Sequence, residues 1–145
     1  MNENNELLLY IYQNSKMGME NLTSLIKQLN GKDNKIKQIV EGQLKGYENF
    51  VKESEKLLKK HKVEPKEKSK IAEAMAYMEM KLELLKDNSD ARIADMLTKG
   101  LTMGKIDITK KIDNFKDDAN EDILKLARKL SKFNEENIEL LKKYL

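Results

Sequence analysis

The chain contains no cysteine, which excludes disulfides, thiolate metal sites and cysteine nucleophiles. It has no tryptophan, only 6% aromatic residues, one proline and six glycines in 145 residues, too little turn chemistry for a many-stranded β protein. Histidine occurs once, at His61, so no site built on two imidazoles can be assembled. Arginine occurs only at Arg92 and Arg128, and lysine supplies the rest of 28 basic residues against 25 acidic ones. A net charge of +3 spread through alternating signs gives no strong field, and the forked guanidinium suited to phosphate and guanine is scarce. Nucleic acid is therefore not an expected partner. The longest early apolar run, Leu7 to Tyr12, is too short for a signal core or a membrane span, and Met1 to Glu6 is polar. A cytoplasmic protein with no membrane association is expected.

What is present is 39% hydrophobic and 37% charged residues interleaved at helical spacing. From Glu6 to Leu29 the stripe Leu8, Ile11, Leu22, Leu25, Ile26 and Leu29 predicts a first helix, closed by the left-handed cap signal Asn30-Gly31. Asp33 is the expected cap of a second helix. Its stripe runs through Ile36, Ile39, Val40, Leu44, Tyr47, Phe50, Val51, Leu57 and Leu58, and it ends near Lys62 in a basic last turn. Pro65 suits the first turn of a third helix with Ile71, Met75, Met78, Leu82 and Leu85 inward. Asp87-Asn88-Ser89-Asp90 predicts a break with Ser89 as N-cap, although the apolar phase continues to Phe115 and leaves a bent continuous helix open. A straight helix over 66–116 would be roughly 75 Å long, too long for one compact domain. Asp118 with Glu121 reads as a capping pair for the last helix, whose inward face includes Ile123, Leu126, Ala127, Leu130, Phe133, Ile138, Leu141 and Tyr144. The short connections predict an all-α, up-down antiparallel bundle of four long helices plus one shorter helix, as a single domain over 1–145, more than roughly 70% helical.

Gly18, Gly42, Gly46, Gly100 and Gly104 fall inside these helices, each at a cost of roughly 1 kcal/mol relative to alanine. Antiparallel pairing about residue 31 sets Gly18 opposite about position 44, at the level of Gly42 and Gly46, and pairing about residue 117 or 118 sets Gly104 opposite about Ser131. A thin-walled central layer is expected, serving close helix packing, a small ligand or ion, or a dimer contact; Asp107 shares the face of Gly100 and Gly104. These six residues are the candidate ligand-binding set. Asp107 and Asn137 are also the candidates for partly buried polar groups, and the internal methionines read as gap-filling core. His61 reads as a cap at a helix end, and the lysines from Lys52 to Lys70, without interleaved aromatics, as a solvated face. No phosphate-binding glycine loop or nucleophile elbow occurs.

The helix lengths and order resemble the ferritin-like superfamily, and the segments from Asn88 to Leu97 and from Gly100 to Lys110 resemble small helical proteins of low-GC Gram-positive bacteria, a likeness that covers nearly the whole chain. The resemblance implies the bundle order. Its di-iron members carry Glu-x-x-His on two helices, a motif absent here, so Glu20, Glu41 and Glu48 stand without imidazole partners and no metal or cofactor is expected. The expected function is a non-enzymatic structural or protein-interaction bundle, with a homodimer or another protein as partner. The alternative is a degenerate ferritin-like protein that binds a small ligand or ion in its glycine-lined centre.

Overall fold

The computed structural model describes residues 3–65 and 88–145, and every regular element among them is helical. These elements are α1 (Glu3–Gln28), α2 (Lys37–Lys60), α3 (Asp90–Phe115) and α4 (Glu121–Leu141), followed by a 3-10 turn, Lys142–Tyr144. The third expected helix, through Ile71 and Leu85, lies outside the described residues.

The buried stripes are those that helical spacing selects. Leu22, Leu25 and Leu29 of α1, Val40, Tyr47 and Val51 of α2, Ile93, Leu97, Leu101 and Ile108 of α3, and Ile123, Ala127, Leu130 and Leu141 of α4 belong to one buried core. The N-terminal half of α1 is buried almost all round, with Leu7, Leu8, Leu9, Ile11 and Tyr12 all in the core. Burying each such side chain stabilises the fold by about 1.5–3 kcal/mol. Ile26, Ile39, Leu44, Phe50 and Leu57 lie half-buried on the flanks of the stripe.

Gly18 beside Tyr47 makes α1 and α2 antiparallel, and Gly104 beside Asn134 does the same for α3 and α4. Lys60 reaches Asp122 while Gly46 meets Phe133, so α2 and α4 are antiparallel as well. Asn34 joins Asp90 at one end of the α1–α3 pair and Glu6 approaches Lys111 at the other. The four described helices thus run up, down, down, up. α2 ends and α3 begins at opposite ends of the bundle.

The termini refine the expected boundaries. Gly31 adopts φ +79°, as the cap signal after α1 requires. Asp33 does not cap α2, which starts after Ile36 with no side-chain cap; the preceding turn is held instead by Asn34, whose Nδ2 donates to Asp90 Oδ1 at 2.9 Å and to the Asn88 carbonyl at 2.8 Å. Ser89 is the N-cap of α3, extended at ψ 155° and accepting from the Arg92 amide at 3.3 Å, which rules out a continuous helix through this point. The Asp118 cap is corrected to Asn120, whose extended backbone immediately precedes Glu121 and whose amide N–H is taken by Asn4 Oδ1.

α2 closes in a Schellman motif. Val63 N–H donates to the Leu58 carbonyl at 2.8 Å and Lys62 N–H to the Lys59 carbonyl at 3.2 Å, which forces Lys62 to φ +56°. A residue with a Cβ is disfavoured there. Lys62→Gly is expected to raise the unfolding free energy by about 0.5–1 kcal/mol in urea melts, because relief of the left-handed strain exceeds the added freedom of the unfolded chain. An unchanged or lowered midpoint would contradict this account of the cap.

Candidate functional site

A cavity of about 110 Å³ lies at mid-bundle, where all four described helices contribute wall. α1 supplies Asn14, Gly18 and Asn21; α2 supplies Gln43 and Tyr47; α3 supplies Met96, Gly100 and Gly104; α4 supplies Asn134. None of the described residues on the wall carries a formal charge. Gln43 and Asn134 are 1% and 2% exposed, and Gln43 Nε2 and Asn134 Oδ1 have no hydrogen-bond partner among the described residues. An amide group buried without a partner costs about 1–3 kcal/mol. Both residues are among those that line the cavity, but the two unpartnered atoms themselves have almost no surface open to it.

The glycines explain the space. At Gly18 a Cβ would stand 2.7 Å from Tyr47 Cζ, so the missing side chain lets that ring lie across the α1–α2 crossing. Tyr47 is 9% exposed, and burial pushes its hydroxyl pKa up to about 12. At Gly104 a Cβ would lie 3.1 Å from Asn134 Nδ2, so this glycine makes room for the carboxamide.

The expected thin-walled layer is therefore corrected. Gly18 and Gly104 do mark close approach, but each admits a larger side chain, and the partners lie about one helical turn beyond the expected positions 44 and 131. Gly46 does not face Gly18; a Cβ there would run into the Phe133 ring of α4. Phe133 packs edge-on to Tyr47 at 5.0 Å and to Phe50 at 5.4 Å. Gly42 is exposed with open space around it, and Gly100 borders the cavity with nothing within contact distance of its Cβ position. Of the six candidate residues, Gly18, Gly100 and Gly104 come together on the cavity, while Gly42, Gly46 and Asp107 do not line it. Asp107 is exposed; it acts on Tyr10, whose hydroxyl pKa is raised first by burial and then by the Asp107 charge.

Gln43 and Asn134 are the residues that sequence reasoning passed over, although both sit at core spacing, between Val40 and Tyr47 and between Leu130 and Leu141. Asn137, flagged for the same reason, is buried but satisfied, its Nδ2 donating to the Phe133 carbonyl at 2.8 Å.

A second polar cluster ties the far end of α2 to the start of α4. Lys60 Nζ donates to Asp122 Oδ2 at 2.7 Å, and His61 Nε2 lies 3.1 Å from the same oxygen. Asn120 Nδ2 is 3.4 Å from His61 Nδ1, so the Nε2–H tautomer serves both contacts. His61 thus caps α2 and also clamps two helices. Burial raises the Asp122 pKa, but the hydrogen bonds and charges of Lys60 and His61 outweigh it and hold the carboxyl below its ordinary value. A carboxyl lowered on folding contributes stability that is present above the unfolded value, about 3.9, and is lost as pH falls through the folded one. Asp122→Asn is expected to flatten the decline in stability between about pH 5 and pH 2. Parallel urea melts over that range test it; an unchanged slope would show that other carboxylates carry the acid sensitivity.

Among the described residues, no group of three His, Asp or Glu side chains converges as a metal site, and no helix is long and apolar enough to cross a membrane. Comparison of the chain with protein-family models, curated proteins and solved structures gave no match.

Proposed function

We propose that this protein is a non-enzymatic helical bundle, ferritin-like in helix order, that binds a small uncharged molecule in its mid-bundle cavity. The observation that carries this reading is the cavity of about 110 Å³ itself, to which all four described helices contribute uncharged wall. The up, down, down, up order supports the ferritin-like part, since that superfamily joins two helical hairpins by one long crossover. Native mass spectrometry of the gently isolated protein tests the binding: a small adduct on the parent that is absent from Gly104→Leu is the expected result. A bare parent mass, with no thermal stabilisation by any member of a set of small neutral molecules, would overturn it.

A second reading, a structural or protein-interaction module acting as a homodimer, is favoured by one observation. Met103 and Ile106, one turn apart on the outer side of α3, are 67% and 50% exposed. The same spectrum separates the two, since this reading requires a dimer mass without an adduct.

A further inference from the structure

We infer that a second copy of this chain seats on the α2–α4 face, with the two α4 helices antiparallel about a two-fold axis at Phe133; this rests on the homodimer reading and places the contact away from Met103 and Ile106. A groove of about 490 Å³ runs between α2 and α4 and shares no lining residue with the mid-bundle cavity. Phe50, Leu126 and Phe133 are its less exposed residues, and Glu53, Lys129 and Glu136 stand exposed on its banks. Leu126, Phe133 and Leu140 recur every seven residues, which sets them on one face of α4, and Leu140 is 50% exposed. Across from them the α2 bank is low, because Gly42 has open space where a side chain would stand.

Charge selects the occupant. From Lys125 to Lys132 every charged residue of α4 is basic, and from Glu135 to Glu139 every one is acidic. The flanking pairs reverse the signs again, with Glu121 and Asp122 before the basic block and Lys142 and Lys143 after the acidic one. A half-turn about Phe133 therefore lays each block against one of opposite sign. It brings Leu126 level with the partner's Leu140, and Lys129 to within one residue, about 1.5 Å along the axis, of the partner's Glu136. An in-register parallel pair would set like charges side by side, so the pattern fixes the direction of the partner as well as its identity. A contact of this symmetry uses the same patch on both copies and closes as a dimer. Within its own chain Glu136 has only a 3.8 Å ion pair with Lys132 between two exposed side chains, which leaves it able to serve a partner. The apolar part of the face is small, so the dissociation constant is expected on the order of 100 µM.

The test is sedimentation equilibrium of the full chain at low salt, with charge reversals at two exposed positions. Lys129→Glu and Glu136→Lys should each weaken self-association at least about tenfold, because two opposite-charge contacts per dimer become like-charge ones. Mixed in equal amounts, the two variants should associate as well as the parent, since one chain then carries acidic side chains at both positions and the other carries lysine at both. Damage to the fold of either variant would not be repaired by mixing. Ile106→Lys, on α3, should leave the dimer intact. A parent that stays monomeric at concentrations on the order of 1 mM overturns this face and the homodimer reading together. A parent dimer that survives Lys129→Glu and Glu136→Lys unchanged, that is lost in Ile106→Lys, or that is not recovered on mixing overturns the antiparallel α4 contact and leaves the homodimer reading in place.

Discussion

Gly46→Leu is expected to lower the unfolding free energy by roughly 3 kcal/mol, at the upper end of what overpacking a filled site costs. Intrinsic propensity pulls the other way, because any side chain improves on glycine inside a helix by up to about 1 kcal/mol. Packing decides the sign. The first carbon added at Gly46 meets the Phe133 ring, which can move only by giving up its edge-on contacts with Tyr47 and Phe50. Leucine must therefore push α4 away from α2 or expel an aromatic ring from its cluster. One turn earlier on the same helix, Gly42 faces open space. Gly42→Ala is the internal control, expected to stabilise by about 0.5–1 kcal/mol. Urea melts of the two variants should shift in opposite directions from the parent. If Gly46→Leu is as stable as the parent, Phe133 is free to move and the α2–α4 contact is not a packed crossing.

The contrast between these two glycines also shows where sequence reading stopped. The helices were legible because their apolar spacing is long and regular, and Ser89 and Gly31 were legible because capping depends on local chemistry: a hydroxyl that accepts from the third amide, and a residue that tolerates positive φ. Asp33 and Asp118 carry the same local signals, yet tertiary contacts overrode them. Asn34 is drawn to Asp90 across the bundle, and Asn120 is fixed by Asn4 and His61, so each helix starts where those distant partners hold its end. Gly18, Gly46 and Gly104 were legible as close approaches but not in their partners, whereas Gly42 and Gly100 mark no close approach at all. Antiparallel arithmetic places a neighbour to about one turn, and one turn separates a small residue from Tyr47 or Asn134. Gln43 and Asn134 were legible in principle. A carboxamide at core spacing is a polar group that burial obliges to find a partner, and whether it finds one depends on three other helices.

Tyr47→Ala is the second large effect, expected to cost about 3–4 kcal/mol through the loss of a buried ring and its edge-on contact with Phe133. Its more telling consequence falls on Gly18. In the parent, Gly18→Ala sets a carbon 2.7–2.9 Å from three atoms of the Tyr47 ring, a distance that something must yield to relieve. That ring is wedged between α1 and Phe133, so the strain should outweigh the propensity gain and leave Gly18→Ala destabilising by about 1 kcal/mol. With Tyr47 reduced to alanine the obstruction is gone. The same Gly18→Ala change should then stabilise by up to about 1 kcal/mol, giving a coupling of about 2 kcal/mol between two residues on different helices. Four urea melts complete the cycle. A sign reversal at Gly18 places the Tyr47 ring at the α1–α2 crossing in solution, and with it one wall of the cavity. Equal effects of Gly18→Ala in the two backgrounds would mean that the ring does not occupy this crossing, and the cavity beside it would need a different boundary.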